Sequence, residues 1–162
     1  MIQKKICLLG AFSVGKTSLI QRFVNSIFDD KYLTTVGVKV DKKNVEVDSN
    51  EVMMMIWDLA GEDDYSRLQT TYLRGSAGYV LVVDGTRPNS LDTAFDVHEK
   101  AVSTLGDVPF ILALNKADLV DQWMLPDERI QQASEQFTVM KTSAKTGENV
   151  ENLFSSLARQ ML

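Results

Sequence analysis

The chain has 162 residues, a formal net charge of −5 and one cysteine. This length is typical of one domain with a single hydrophobic core, so residues 1–162 are expected to form one domain. The acidic balance argues against nucleic acid as a main partner. One cysteine excludes an internal disulfide framework. Together with the lack of a signal-peptide pattern and of a membrane-length apolar run, this predicts a cytoplasmic protein.

The hydrophobic pattern predicts strands and helices that alternate along the chain. Strands are predicted at Lys4–Leu9, Val36–Val47, Val52–Asp58, Tyr79–Asp84, Phe110–Asn115 and Thr138–Lys141. Helices are predicted at Gly15–Ser26, Leu91–Thr104, Asp127–Gln136 and Val150–Met161. The turn signal Asp48-Ser49-Asn50 joins the second and third strands into a hairpin. The other elements form βα units, so we expect a mostly parallel sheet covered by helices, with ligands bound beyond the carboxyl ends of the strands.

The first predicted strand runs into the segment GAFSVGKTS, which contains the phosphate-loop pattern GxxxxGK[ST]. This turn aims backbone N–H groups from the start of the next helix at one point, and such an arrangement binds anions. Gly10 and Gly15 permit a close backbone path. Lys16 supplies a positive charge for the outer phosphates, and Thr17 supplies a hydroxyl oxygen for Mg²⁺. The segment therefore predicts a nucleoside phosphate site.

Two further segments are placed to complete a site for Mg²⁺ and phosphate. Asp58 leaves the third strand in IWDLAGEDDY, where its carboxylate would hold Mg²⁺ directly or through water. Gly61 allows a close backbone approach, so its N–H can point at a terminal phosphate. The loop KYLTTVGV, before the second strand, carries two threonines. A hydroxyl from one of them could close the Mg²⁺ shell only with a third phosphate, so this loop would order with a triphosphate and relax after hydrolysis.

Two segments after the later strands predict a guanine site. In NKAD, the Asp118 carboxylate offers acceptors for two adjacent donors, which guanine has and adenine lacks at N1. The stem of Lys116 would lie along the base. In TSAKTG, the Ala144 N–H would reach the base oxygen, and Lys145 would support the base from the other side. Either segment alone is also typical of a turn or a helix start, so the prediction depends on their occurring together with a phosphate loop.

These motifs, in this order over essentially the whole chain, resemble the Ras superfamily of small GTPases, and most closely its Rab branch. The resemblance implies an α/β P-loop GTPase fold, with a six-stranded, mostly parallel sheet, one antiparallel strand and five flanking helices. It implies GTP and GDP as ligands, Mg²⁺ as the metal, and a molecular switch that hydrolyses GTP. Its partners would be an effector, an exchange factor and an activating protein.

The resemblance also implies roles for individual residues. Lys16, Thr35, Gly61 and Glu62 would be the catalytic positions. Thr17, Thr35 and Asp58 would hold Mg²⁺. The nucleotide would be contacted by the phosphate loop, an aromatic over the guanine and ribose, both switch loops and the guanine motifs: Ser13, Val14, Gly15, Lys16, Thr17, Ser18, Phe28, Thr35, Gly61, Asn115, Lys116, Asp118, Ser143, Ala144 and Lys145.

The Rab-like features are the segments TVGV, WDLAG and YLRG. Trp57 and Tyr72 match two members of the aromatic effector patch of Rab proteins. Val40 stands at the third position, where Rab proteins usually carry phenylalanine. The alternative for Trp57 is an ordinary core residue.

Two residues depart from the family pattern at the site itself. Glu62 stands where the family usually has the glutamine that positions the attacking water. An ionised glutamate only accepts hydrogen bonds and adds negative charge near a negative transition state, so we predict slow intrinsic hydrolysis. The alternative is that Glu62 points away until a partner binds. Phe12 replaces a small phosphate-loop residue and is predicted to point outward and obstruct a Ras-type arginine finger, unless it packs against the second switch loop.

The chain ends in SSLARQML, without the cysteine that prenylation requires, and its second residue is Ile2, not glycine. We therefore expect no lipid anchor in this chain, either because it is a trimmed domain or because it acts in solution through protein partners. A second function class is a GTP-dependent scaffold or Roc-type nucleotide module with negligible turnover, which Glu62 and Phe12 favour. The intact phosphate and Mg²⁺ residues favour the enzyme. A P-loop kinase fits poorly, because it would not need the NKAD segment.

Overall fold

The computed structural model describes residues 2–28, 38–59 and 70–162, which form a six-stranded sheet with helices packed on both faces. The strands are β1 (Ile2–Gly10), β2 (Val38–Val47), β3 (Asn50–Leu59), β4 (Gly78–Asp84), β5 (Phe110–Asn115) and β6 (Val139–Lys141). The helices are α1 (Lys16–Asn25), α2 (Thr70–Leu73), α3 (Asn89–Leu105), α4 (Asp127–Gln136) and α5 (Val150–Met161). The strand order is β2-β3-β1-β4-β5-β6, and the β2–β3 pair is antiparallel whereas the other neighbours are parallel. The predicted fold class is thus confirmed.

The predicted elements agree with the observed ones except near their ends. The bounds of β5, α4 and α5 are those predicted. Helix α2 has four residues, which is too short to show the apolar periodicity that predicts a helix. A short 3₁₀ turn at Val120–Gln122, after β5, also has no such signal. Residues 36 and 37 of the predicted second strand lie outside the described residues.

The β2–β3 hairpin has a tighter turn than the sequence predicted. Val47 pairs with Asn50, so the loop contains only Asp48 and Ser49. Their φ angles of 51° and 67° place both residues in the left-handed region, as a type I′ turn requires. The predicted hairpin is therefore confirmed, and β3 begins at Asn50, two residues before its predicted start at Val52.

Alternation along β1 explains how one sheet builds two cores. Ile6 and Leu8 point to the face covered by α1 and α5, whereas Cys7 and Leu9 point to the face covered by α3 and α4. On the first face, Phe23 of α1 stacks on Phe154 of α5, with ring centroids 4.0 Å apart. Helices thus cover both faces of the central strands, whereas the edge strand β2 carries mostly exposed or half-buried side chains. Within the described ranges, no helix is long and apolar enough to cross a bilayer.

Candidate functional site

The carboxyl ends of the parallel strands bring the predicted motifs to one edge of the sheet. Gly10, the last residue of β1, pairs with Val82 of β4, and Asp84 at the end of β4 pairs with Asn115 at the end of β5. Asp58 is the penultimate residue of β3, beside Leu8 of β1. The chain leaves the sheet after β1, β4 and β5. The polar residues that follow the strands therefore lie next to one another, as predicted.

Two glycines of the phosphate loop are required by their surroundings. A Cβ atom on Gly10 would lie 2.4 Å from the Val82 carbonyl oxygen, and one on Gly15 would lie 2.3 Å from Asn115 Nδ2. Gly15 also has a φ of +102°, which side chains rarely adopt. The loop therefore passes close to both β4 and the residue that begins the NKAD segment.

Side-chain donors bind the carbonyl groups of the phosphate loop. Lys16 Nζ donates to the Gly10 and Ala11 oxygens at 3.0 and 3.1 Å. Arg87 Nη2 donates to the Phe12 oxygen at 2.6 Å. Lys116 Nζ donates to the Ser13 oxygen at 3.1 Å, and Asn115 Nδ2 donates to the Val14 oxygen at 3.0 Å. With its carbonyl groups fixed in this way, the loop keeps its N–H groups for an anion.

Lys16 is a buried cation, with 6% of its surface exposed. Burial lowers the pKa of its ammonium group to about 8. Asp58 opposes that shift, and the charge of Arg87 adds to it. The two carbonyl bonds use two of the three ammonium donors, so a third remains for a phosphate oxygen. A buried cation beside a phosphate loop is a strong attractor for the outer phosphates of a nucleotide.

Thr17 and Asp58 form an oxygen pair that suits Mg²⁺. The Thr17 hydroxyl donates to Asp58 Oδ2 at 2.6 Å, and Asp58 is 1% exposed. Mg²⁺ prefers oxygen ligands and usually takes only one or two from protein, with waters and substrate phosphates completing its shell. In the described part of the chain, no group of three or more His, Cys, Asp or Glu side chains could hold a metal alone. The residues present thus fit a cation that is shared with a bound phosphate.

Asp84 links the phosphate loop to the NKAD segment. Its carboxylate accepts from Lys116 Nζ at 2.9 Å, from Arg87 Nε at 3.1 Å, and from both the backbone N–H and the hydroxyl of Thr86. Burial by itself raises the pKa of Asp84. The hydrogen bonds from Lys116 and Thr86 outweigh that effect, so the pKa lies below its ordinary value and the group is ionised. Lys116 therefore spans from Asp84 to the Ser13 carbonyl, with its stem stretched beside the loop.

The two halves of the predicted base site are bonded to each other. Ser143, which is fully buried, donates through Oγ to Asp118 Oδ1 at 2.7 Å. Thr142 donates to Asn115 Oδ1 at 3.2 Å, which joins the loop after β6 to the end of β5. Ala144 is buried, and Lys145 is exposed. The bond from Ser143 orients the Asp118 carboxylate and leaves its second oxygen available for a ligand donor.

Arg22 of α1 supports the loop after β6, which is the second half of the predicted base site. Its guanidinium donates to the carbonyls of Lys145 and Thr146, at 3.4 and 3.1 Å. It also covers Gly147, where an added Cβ would lie 2.8 Å from Arg22 Nη2. The helix that follows the phosphate loop therefore also supports the loop after β6.

The structure gives the positions of several predicted site residues but does not test their roles. Ser13, Val14 and Ser18 lie on the phosphate loop and at the start of α1. Phe28 is half-buried and packs against the core on the α1 and α5 face. Thr35, Gly61 and Glu62 lie outside the described residues, so their predicted positions at the site stay predictions.

Phe12 and the Trp57 region lie on the surface. Phe12 is 40% exposed, so it is not a core residue; its predicted relation to residues 60–69 concerns positions outside the described ranges. Trp57 is half-buried beside Tyr72, with ring centroids 6.3 Å apart, and pairs across the hairpin with Val40, which is also 40% exposed. Trp57, Tyr72 and Val40 thus form one apolar surface, in which Val40 is exposed and the two aromatic side chains are half-buried.

Sequence reasoning missed three residues that organise the site: Arg22, Asp84 and Arg87. A signal for the last two was present, because DGTR begins with the last residue of the buried strand β4 and therefore stands at a strand end like the other motifs. No pattern in the sequence points to Arg22, whose partners lie more than a hundred residues away in the chain.

Comparison with known proteins agrees with this geometry. The Ras family model matches residues 5–162. Ras-related protein Rab-8B of Homo sapiens and of Pongo abelii are each 32% identical over 164 residues, covering 98% of this chain and 78% of the relative. Ras-related protein Rab-8A of Bos taurus is 32% identical over 160 residues, covering 97% and 77%. The chain therefore belongs to the Ras family of small GTPases, near the Rab branch.

Proposed function

We propose that this GTPase is a switch with slow intrinsic GTP hydrolysis, whose GTP-bound form is recognised by a protein effector. The observation that supports nucleotide binding is the junction at the sheet edge. There the buried Lys16 and the Thr17–Asp58 pair follow a phosphate loop whose carbonyl groups bond Asn115 and Lys116, the first residues of the segment that ends in the Asp118–Ser143 pair. Such a site would hold Mg²⁺, phosphates and guanine at once.

The assignment of individual roles belongs to this proposal. Lys16 would stabilise charge on the outer phosphates, and Thr17, Asp58 and Thr35 would hold Mg²⁺. Asn115, Lys116 and Asp118, with Ser143, Ala144 and Lys145, would select guanine, and Phe28 would pack over the base. Mg²⁺ would neutralise the charge that develops between the outer phosphates.

The slow rate follows from Glu62. At the position that orients the attacking water, a glutamine both accepts from the water and donates to the γ-phosphate. An ionised glutamate only accepts, and its charge opposes the negative charge of the transition state. Hydrolysis would then depend on an activating protein, and the GTP form would persist long enough for an effector to bind.

The effector surface in this proposal is the apolar group of Trp57, Tyr72 and Val40. Two of these side chains project from the β2–β3 pair, and the third lies on α2 beside Trp57. Thr35 and Gly61 belong to the chain segments that follow α1 and β3, and both would change order with the γ-phosphate. An exchange factor would act on the same segments to release GDP.

Single-turnover hydrolysis of Mg·GTP tests this proposal. We expect Glu62→Gln to hydrolyse GTP roughly 10- to 100-fold faster than the native protein, because the variant gains a donor and loses an unfavourable charge. Asp63→Asn is the matched control, since it removes one negative charge from the next residue and should leave the rate unchanged.

Two outcomes would contradict the proposal. A native protein faster than Glu62→Gln would mean that the glutamate takes part in the chemistry. Stable binding of Mg·GTP without turnover in either protein would favour the GTP-dependent scaffold.

A further inference from the structure

The phosphate loop binds an anion only if its carbonyl groups point away from that anion. Every carbonyl from Gly10 to Val14 is held by a side-chain donor, and these donors come from Lys16, Asn115, Lys116 and Arg87. Three of the four belong to motifs already assigned to nucleotide binding. Arg87 belongs to none of them, and it holds the Phe12 carbonyl at the exposed outer bend of the loop.

Arg87 is positioned for this contact by a second bond. Its Nε donates to Asp84 Oδ2 at 3.1 Å while its Nη2 donates to the Phe12 oxygen at 2.6 Å. The planar guanidinium thus bridges the end of β4 and the phosphate loop with two donors in fixed geometry. Asp84 is 1% exposed and is part of strand β4, so the bridge attaches the loop to a rigid element of the sheet.

We propose that Arg87 is a positioning residue that fixes the outer bend of the phosphate loop, through its bridge from Asp84 to the Phe12 carbonyl, and thereby slows release of the nucleotide phosphates. This inference rests on the proposed binding of guanine nucleotide at the loop. The guanidinium acts on the carbonyl side of the loop and not on the phosphates, so its effect depends on the bridge and not only on its charge.

The same aspartate couples the two halves of the site. Asp84 Oδ2 accepts from both Arg87 and Lys116, and Lys116 holds the Ser13 carbonyl, which is adjacent to the Phe12 carbonyl. Two consecutive carbonyl groups are therefore held by two cations that share one carboxylate.

The test is the rate of release of fluorescent GDP from native protein, Arg87→Ala and Arg87→Lys in excess Mg²⁺. We expect release about tenfold faster from Arg87→Ala, equivalent to about 1.4 kcal/mol, because one charge-assisted hydrogen bond to the loop is lost. Arg87→Lys keeps the charge but has no fork to span both partners, so it should behave like the alanine variant. Guanosine, which has no phosphate, should bind all three proteins equally in ligand-observed NMR.

Arg129→Ala is the matched control, because Arg129 also bonds an aspartate, Asp92, but on the α3–α4 surface away from the loop. It should release GDP at the native rate. If Arg87→Ala released GDP at the native rate, the inference would be overturned. It would also be overturned if Arg87→Ala released GDP fast but Arg87→Lys released it at the native rate, because the positive charge alone would then be sufficient. Equal weakening of guanosine and GDP would also overturn it. If the native protein failed to hold GDP at all, the proposed function would be contradicted first, and the inference would fall with it.

Discussion

Lys16 is the residue whose chemistry depends most on its surroundings. In an unfolded chain its ammonium group has an ordinary pKa of 10.5, but burial in the folded protein lowers that pKa to about 8. A bound phosphate would favour the charged form again, because an anion then replaces the missing solvation. We therefore expect nucleotide binding above about pH 8 to be accompanied by uptake of a proton.

We predict that the affinity for GDP falls as pH rises above about 8, by at most about tenfold per pH unit, since one proton is linked to binding. Titration calorimetry in two buffers of different ionisation enthalpy measures this proton uptake directly. Because the guanine base has a titratable N1–H of its own, the reference is Lys16→Gln, which should retain only the base's pH dependence. Equal proton uptake by both proteins would show that Lys16 does not titrate on binding.

For folding of the nucleotide-free protein, the same pKa shift has a different consequence. Between about pH 8 and 10.5 the unfolded chain holds the Lys16 proton while the folded protein has released it. The unfolded state then binds more protons, so the contribution of Lys16 to stability rises with pH across this window. High pH should thus weaken nucleotide binding without a loss of stability from this group.

At the scale of elements, the β2–β3 turn contains local strain. Ser49 has a φ of 67°, and Asp48 has a φ of 51°. A left-handed conformation costs most residues about 1 kcal/mol or more, whereas glycine adopts it freely. The conformation is nevertheless favoured in this hairpin, because a two-residue type I′ turn matches the twist of the paired strands.

We predict that Ser49→Gly stabilises the GDP-bound protein by about 0.5–1 kcal/mol, because it removes the strain at the second turn position. Urea denaturation at saturating GDP measures the change in the free energy of unfolding. Ser103→Gly is the control, since Ser103 is an exposed residue inside α3 and glycine there should destabilise the helix. The same substitution should therefore have opposite signs at the two positions. Destabilisation by Ser49→Gly would mean that the serine side chain contributes more than the strain costs.

At the scale of the whole molecule, the site joins elements that are far apart in the chain. The loops after β1, β4, β5 and β6 are tied together by Asp84, Asn115 and Asp118, and α1 reaches the last loop through Arg22. A ligand that contacts all these loops binds only the folded protein. Its binding free energy therefore adds to the free energy of unfolding.

We predict that GDP at about 100 times its Kd stabilises the protein by about 2.7 kcal/mol and raises the melting temperature by about 5–10 °C. Differential scanning fluorimetry measures the shift against nucleotide-stripped protein with Mg²⁺ present. ADP at the same concentration should cause no shift, because adenine lacks the N1–H donor from which the Asp118 carboxylate would accept a hydrogen bond. Equal shifts with both nucleotides would contradict the assignment of Asp118 to guanine.

The order of elements and the chemistry at strand ends could be predicted because both depend on local sequence. Apolar runs with a period of two or near four indicate strands and helices whatever their partners are, and β5, α4 and α5 have the predicted bounds. The segments GAFSVGKTS and NKAD would bind their ligand through neighbouring backbone and side-chain groups, so residue type and spacing already predict a site. Even the expected place of the site followed from the rule for parallel sheets, since the phosphate loop, NKAD and TSAKTG come directly after or at the end of strands.

Only the tertiary structure decided how these segments are held together. Arg87 and Phe12 are separated by 75 positions in the chain, Lys116 and Ser13 by 103, and Arg22 and Thr146 by 124. No local pattern specifies such pairs, because each depends on which strand ends the sheet places side by side. The same holds for the lowered pKa values of Lys16 and Asp84, which arise from burial and from partners distant in sequence. Residue type determined which groups could bind a nucleotide, and the sheet edge decided which of them hold the loop that does so.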